Sequence, residues 1–174
     1  MRIETERLTL CTPRPEDAPA MLAIRNSEYV LRYNPMTPWD LPRMEKQILE
    51  EAQSGQALYI DEKATGQLIG GVWLEPDELR YGPTAFTLSY YLSESAAGCG
   101  YMTEALTAVL PYAFGHLGAE VLSARVFTPN RASARLMEKL GFTHEGTLRH
   151  AVTTPAGVTY DDMLFSILRH EAQA

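Results

Sequence analysis

Between Tyr90 and Leu106 the sequence leaves a strand pattern and enters a helix pattern through Gly98-Cys99-Gly100. Such a junction sets the first turn of a helix against the end of a strand, so the chain must layer helices on a sheet. The open amides of that turn carry partial positive charge, and glycine lets phosphates approach the backbone without a Cβ in the way. The same Gly-x-Gly also fits an ordinary tight turn. Two other phosphate motifs are excluded: the third glycine of a dinucleotide fingerprint is missing, and no Gly-Lys-Ser/Thr follows.

Period and punctuation place the remaining elements. Leu8-Thr9-Leu10-Cys11 alternates as a short strand stopped by Pro13 and Pro15. Glu16-Asp17 precede a helical stripe of Ala18, Met21, Leu22 and Ile24, and Asp40-Leu41-Pro42 opens a second helix that closes at Ser54-Gly55. Ala57 to Asp61, Gln67 to Leu74 and Ala85 to Leu92 read as an antiparallel meander. A long helix then carries Met102, Ala105, Leu106, Val109, Ala113 and Phe114 on one face, with Pro111 inside it as a bend. Val121 to Phe127 is a strand and Asn130 to Leu140 a helix ending at Gly141; from Phe142 a strand pair hinges near Pro155-Ala156-Gly157. The expected fold class is α/β (α+β), with seven strands and four helices in a single domain over residues 1–174.

Fifteen Lys plus Arg against twenty-two Asp plus Glu give a net charge of −7, which argues against nucleic acid as a partner. A chain this acidic must hold a phosphate-rich ligand through backbone amides and a few local cations. Cys11 and Cys99 stand in no metal-ligand spacing and build no disulfide framework, so no metal is expected. No apolar run approaches the ~20 residues of a membrane span, and the charged opening Met1-Arg2-Ile3-Glu4 lacks an apolar leader core. A cytoplasmic protein without a membrane partner is expected.

Four segments stand in order along nearly the whole chain. The first is Glu4-Thr5-Glu6-Arg7-Leu8-Thr9-Leu10 followed by Arg14-Pro15-Glu16-Asp17, and the second Tyr90-Tyr91-Leu92 through Gly100-Tyr101-Met102-Thr103-Glu104-Ala105. Asn130-Arg131-Ala132-Ser133 with Glu138-Lys139-Leu140-Gly141-Phe142 and Glu145-Gly146 is the third, and Gly157 to Asp162 the last. Together they resemble the GNAT acetyltransferases and, within them, the ribosomal-protein alanine N-acetyltransferase branch (RimJ/RimL type). Ala97 and Cys99 stand where the family usually has polar side chains, which leaves the holding to the backbone.

The resemblance implies a mixed seven-stranded sheet, splayed between its fourth and fifth strands and flanked by four helices. Acetyl-CoA would be the acyl donor, its pantetheine arm against the backbone of Tyr90, Tyr91 and Leu92. Its pyrophosphate would rest on the amides of Gly98, Cys99, Gly100, Tyr101, Met102 and Thr103. Asn130 would bond the arm, and Ser133 would stand near the thioester sulfur as the catalytic residue that steadies the leaving thiolate. A homodimer would be in keeping with the family.

Read by themselves, Asn130 and Ser133 also make a helix N-cap after Pro129, and the two roles are compatible. Tyr90 and Tyr91 alternate, so one faces the core and the other is left for a pocket. At pH 7 an α-amine of pKa about 8 costs about 1 kcal/mol to deprotonate and a lysine amine nearly 5, so an α-amine needs only a weak base. Glu75, Asp77 and Glu78 read as solvated loop, Asp162 as structural, and His144 and His150 as either a base or ordinary surface. The function expected is acetyl transfer to a primary amine, either a protein N-terminal α-amine or a small amine. A noncatalytic acyl-CoA-binding or sensor domain is the alternative, and acidic loops hint at a cationic acceptor.

Overall fold

Leu8–Cys11 is buried along its whole length, which requires a neighbour on each edge and cover on both faces. The computed structural model, which describes residues 1–172, supplies both neighbours. The hairpin partner on one side is Arg2–Glu4 (β1), and Leu8–Cys11 is therefore β2. On the other side lies Ala57–Glu62 (β3), antiparallel, with Leu10 opposite Ile60. Next comes Gln67–Pro76 (β4), and the hydrogen-bonded order continues through Ala85–Leu92 (β5), Val121–Phe127 (β6) and Thr159–Leu168 (β8) to Thr143–Thr153 (β7). The sheet has eight strands where seven were expected, and the addition is β1. Five helices replace the expected four because a single turn, Glu28–Leu31 (α2), follows Ala18–Arg25 (α1). The others are Leu41–Ser54 (α3), Tyr101–Gly115 (α4) and Arg131–Lys139 (α5).

Contacts gather the chain into two compact units. The first comprises Met1–Trp73 with Tyr90–Ala108, the second Leu74–Ser89 with everything from Val109 onward. In the first unit the antiparallel run β1 to β4 is packed by α1 and α3, whose Ala18, Met21, Met44 and Ile48 close over Tyr59. Asp40 caps α3 by accepting from the Arg43 amide at 3.0 Å, and Gly55 ends it in the left-handed conformation at φ 68°. In the second unit β5 begins parallel to β6, with pairs from Ala85↔Val121 to Thr87↔Ser123. The β6 strand is paired along its length with β8, from Val121↔Leu168 to Phe127↔Asp162. Arg169 closes this unit's sheet end by donating to the carbonyls of Gly118 and Ala119.

Among the described residues no helix is long and apolar enough to cross a membrane, and no three His, Cys, Asp or Glu side chains are grouped to hold a metal ion.

Candidate functional site

Chain direction at the end of β5 is set by a backbone approach. A Cβ on Gly70 of β4 would collide with the Tyr91 carbonyl oxygen and sit 2.9 Å from Leu92 Cα, so only glycine fits. The Ser93 amide then donates to the Ile69 carbonyl at 2.8 Å, pinning the strand's exit. After one turn of 3-10 helix at Glu94–Ala96, Gly98 and Gly100 take φ of 75° and 79°, and α4 starts at Tyr101. Both glycines are required by conformation, since the space a Cβ would enter is open at Gly98 and holds only Arg7 Nη2, at 3.5 Å, at Gly100. The Glu104 amide bonds the Gly100 carbonyl at 3.1 Å, leaving Tyr101, Met102 and Thr103 as the open helix end. Among the described residues, no turn bond engages the amides of Gly98, Cys99 or Gly100 either. The amides from Gly98 to Thr103 thus lie open as one bed in the first unit.

Sequence reasoning missed what holds that bed. Arg7 Nη1 donates to the Cys99 carbonyl at 2.9 Å and Nε to Glu104 at 2.6 Å, while the guanidinium lies 4.5 Å from the Tyr101 ring centroid. Glu104 also accepts from the Thr5 hydroxyl at 2.6 Å and the Arg7 amide at 2.8 Å. Burial works against its charge, but those bonds outweigh it and hold its carboxyl below the usual range. The Tyr101 hydroxyl bonds Glu62 of β3. A signal did exist: Arg7 and Glu104 each lie in one of the segments that carry the family resemblance.

Tyr91 is the tyrosine that joins the core side. Its ring packs 4.6 Å from that of Trp73, which meets Tyr59 edge-on at 6.1 Å, and the Tyr59 hydroxyl donates to Glu51 at 2.9 Å. Burial pushes the Tyr59 and Tyr91 phenols well above their ordinary pKa, so both stay protonated at neutral pH. Tyr90 is half-buried on the other face of β5.

In the second unit Asn130 caps α5, its Oδ1 accepting from the Ser133 amide at 3.2 Å. That bond fixes the orientation of the side chain, and among the described residues its own NH2 has no protein partner. Ser133 is half-buried one turn along. Thus one of the two roles read for Asn130, the cap, is seen directly, and its donors remain for a ligand.

Asp77 departs from expectation. Glu75 and Glu78 are solvated, but Asp77 is buried and accepts from Ser123 Oγ at 2.6 Å, Arg80 Nη1 at 2.6 Å and the Leu79 amide at 2.7 Å. Desolvation is outweighed by these three donors, so its carboxyl is held below the usual range, anchoring the turn and not serving as a base. Asp162 is wholly buried, bonded through Oδ2 to Arg125 Nε at 2.6 Å and, among the described residues, with Oδ1 unpartnered. Burial raises its pKa against the pull of Arg125. His144 touches Thr147 Oγ1 at 3.2 Å, and His150, at φ 54°, donates its amide to Asp161; both rings are exposed.

Comparison with known proteins bears on this geometry. A family profile described as Acetyltransferase (GNAT) domain matches residues 7–143. The uncharacterized N-acetyltransferase YoaA of Bacillus subtilis (strain 168) is 31% identical over 178 residues, covering 96% of both chains. Among solved structures, a spermidine N-acetyltransferase from Vibrio cholerae in complex with CoA and spermine superposes with a TM-score of 0.85 at 20% identity, over 98% of this chain and 100% of that one. The ribosomal-protein-S5-alanine acetyltransferase from Vibrio fischeri gives 0.84 at 21%, over the whole of both chains. The alanine acetyltransferase branch is thus one neighbour among several.

Proposed function

Because the chain belongs to the GNAT acetyltransferase family and so takes acetyl-CoA as its donor, we propose that it acetylates a primary amine, with residues 1–174 working as one N-acetyltransferase domain. The observation that carries this reading is the open row of amides from Gly98 to Thr103, held by two left-handed glycines at a helix start. In this reading those amides bind the pyrophosphate. The backbone of Tyr90 to Leu92 meets the pantetheine amides as an added strand does, and the free NH2 of Asn130 bonds the same arm. Arg7, paired with Glu104, braces the turn beneath those amides, so a chain of charge −7 relies on the amides themselves to meet the anion.

When bound, acetyl-CoA supplies an activated acetyl group: the amine nitrogen bonds the acetyl carbon, the carbon–sulfur bond breaks, and the sulfur leaves with its electron pair. Ser133 Oγ donates towards that sulfur, and the proton lost by the amine returns to it through water. No carboxylate is assigned as base, since Asp77 is consumed by its three donors. An α-amine, at a deprotonation cost of about 1 kcal/mol at pH 7, suits such a site better than a lysine.

The test is CoA thiol release on a panel of α-amines, polyamines and peptides, beside thermal shift with acetyl-CoA, which should stabilise the protein by mass action. Ser133→Ala should lower kcat about tenfold and leave the Kd for acetyl-CoA within about twofold. Absence of any acetyl-CoA stabilisation would remove the reading, and an unchanged kcat in the variant would pass the thiolate to another group.

A further inference from the structure

In the first unit two arginines without an acid to answer them share one aromatic ring. Arg25, the last residue of α1, is 4% exposed, and its guanidinium stacks on Trp39 at 3.6 Å from the ring centroid. Arg43, on the first turn of α3, stacks on the same indole at 4.3 Å. Among the described residues neither has a carboxylate within ion-pairing distance, although the chain carries twenty-two of them. Arg25 is held by neutral oxygens only, the Thr37 carbonyl at 2.8 Å and, more weakly, Asn26 Oδ1 at 3.5 Å. Its charge is opposed first by burial and then by Arg43 itself.

This arrangement is rigid. Asn26 donates to the Trp39 carbonyl at 2.8 Å and accepts from the Trp39 amide at 3.0 Å, clamping the backbone of the residue whose indole carries both cations. Trp39 packs on the same core cluster as Leu22, Trp73 and Tyr91. A buried guanidinium stacked on an aromatic is partly compensated, but two like charges on one ring without an anion leave a desolvation cost that an anionic ligand would offset. Tyr91 is within electrostatic range of Arg25, and it belongs to the β5 backbone to which the pantetheine arm is assigned.

We propose that Arg25 and Arg43, on either side of the clamped Trp39 in sequence, form the anion-recognising part of the acceptor pocket, so that the acceptor is a small amine carrying a carboxylate. This rests on the acetyl-transfer reading and narrows its acceptor. It also runs against the hint of a cationic acceptor drawn from acidic loops, because the charge beside Trp39 is positive. The carboxylate accepts from the guanidinium donors of Arg25 that neutral oxygens leave open, with Arg43 as a second cation at the exposed side, and the amine remains free to attack.

The experiment compares each amino acid of a graded series, from α-amino to γ-amino acids, with its own carboxamide by thiol release from acetyl-CoA. The wild type is expected to favour the best acid over its amide by about 30-fold in kcat/KM, the size of a charge-assisted pair. Arg25→Gln should draw that acid-to-amide ratio towards unity, and Arg25→Lys should restore part of it. Should the Arg25 variants fail to fold, Arg43→Gln, an exposed position, should reduce the ratio about fivefold through loss of one cation. Equal use of acid and amide, a preference for polyamines, or a ratio unmoved by Arg43→Gln overturns the proposal while acetyl transfer stands. No stabilisation by acetyl-CoA in the wild type overturns the transfer reading and this one together.

Discussion

Arg7 ties a distant N-terminal motif to the glycine turn. Its three contacts, to Cys99, Glu104 and the Tyr101 ring, hold the turn and helix start whose open amides are proposed to bind the pyrophosphate. Charge alone does not describe it: a lysine could neutralise Glu104 but could not also reach Cys99 in a planar fork. Arg7→Gln is expected to raise the KM for acetyl-CoA about tenfold and to alter kcat much less, because it shapes binding and touches no reacting atom. Steady-state kinetics at saturating amine checks this. Equal losses in kcat and kcat/KM would place its effect on the chemical step.

At the level of elements, α5 tests whether a cap is also a ligand. Asn130→Ala should destabilise the protein by about 1 kcal/mol, the usual worth of an N-cap. Asn130→Asp keeps an acceptor for the Ser133 amide and should stay within about 0.5 kcal/mol of the wild type, yet it loses the NH2 donors. Denaturant melts and acetyl-CoA titrations on both variants separate the roles. If the Asn130→Asp variant binds acetyl-CoA as tightly as the wild type does, the residue is a cap alone.

Features governed by local chemistry were legible in the chain: the Asp40 and Asn130 caps, the glycine stops at Gly55 and Gly141, and the glycine turn with its helix. Short elements were not. Arg2–Glu4 is a strand only because β2 offers it pairs, and the single turn of α2 rests on a Ser27 cap to the Val30 amide. Least legible were the contacts between distant positions. Asp77 is buried because Ser123, 46 residues on, reaches it, and Arg7 meets Glu104 across 97 residues. Nothing in a window of neighbours carries that information.

Over the whole molecule, charge sets a problem that the site solves locally. With −7 overall, the protein repels a polyanion at long range, while in the proposed site the open amides of the helix start attract it at short range. Added salt should therefore raise the association rate for acetyl-CoA, by about twofold between about 10 and about 200 mM, where a basic site on a basic protein would slow. Stopped-flow measurements decide it, and a falling rate would mean that the local field dominates at every distance. The backbone crossing at Gly70 bears on how this enzyme can change its tastes. Trp73 and Tyr91, packed together beside it, are side chains that substitution can reshape. Residue 70 touches main chain that no substitution elsewhere can trim away, so it is a locked hinge pin around which any such drift has to turn.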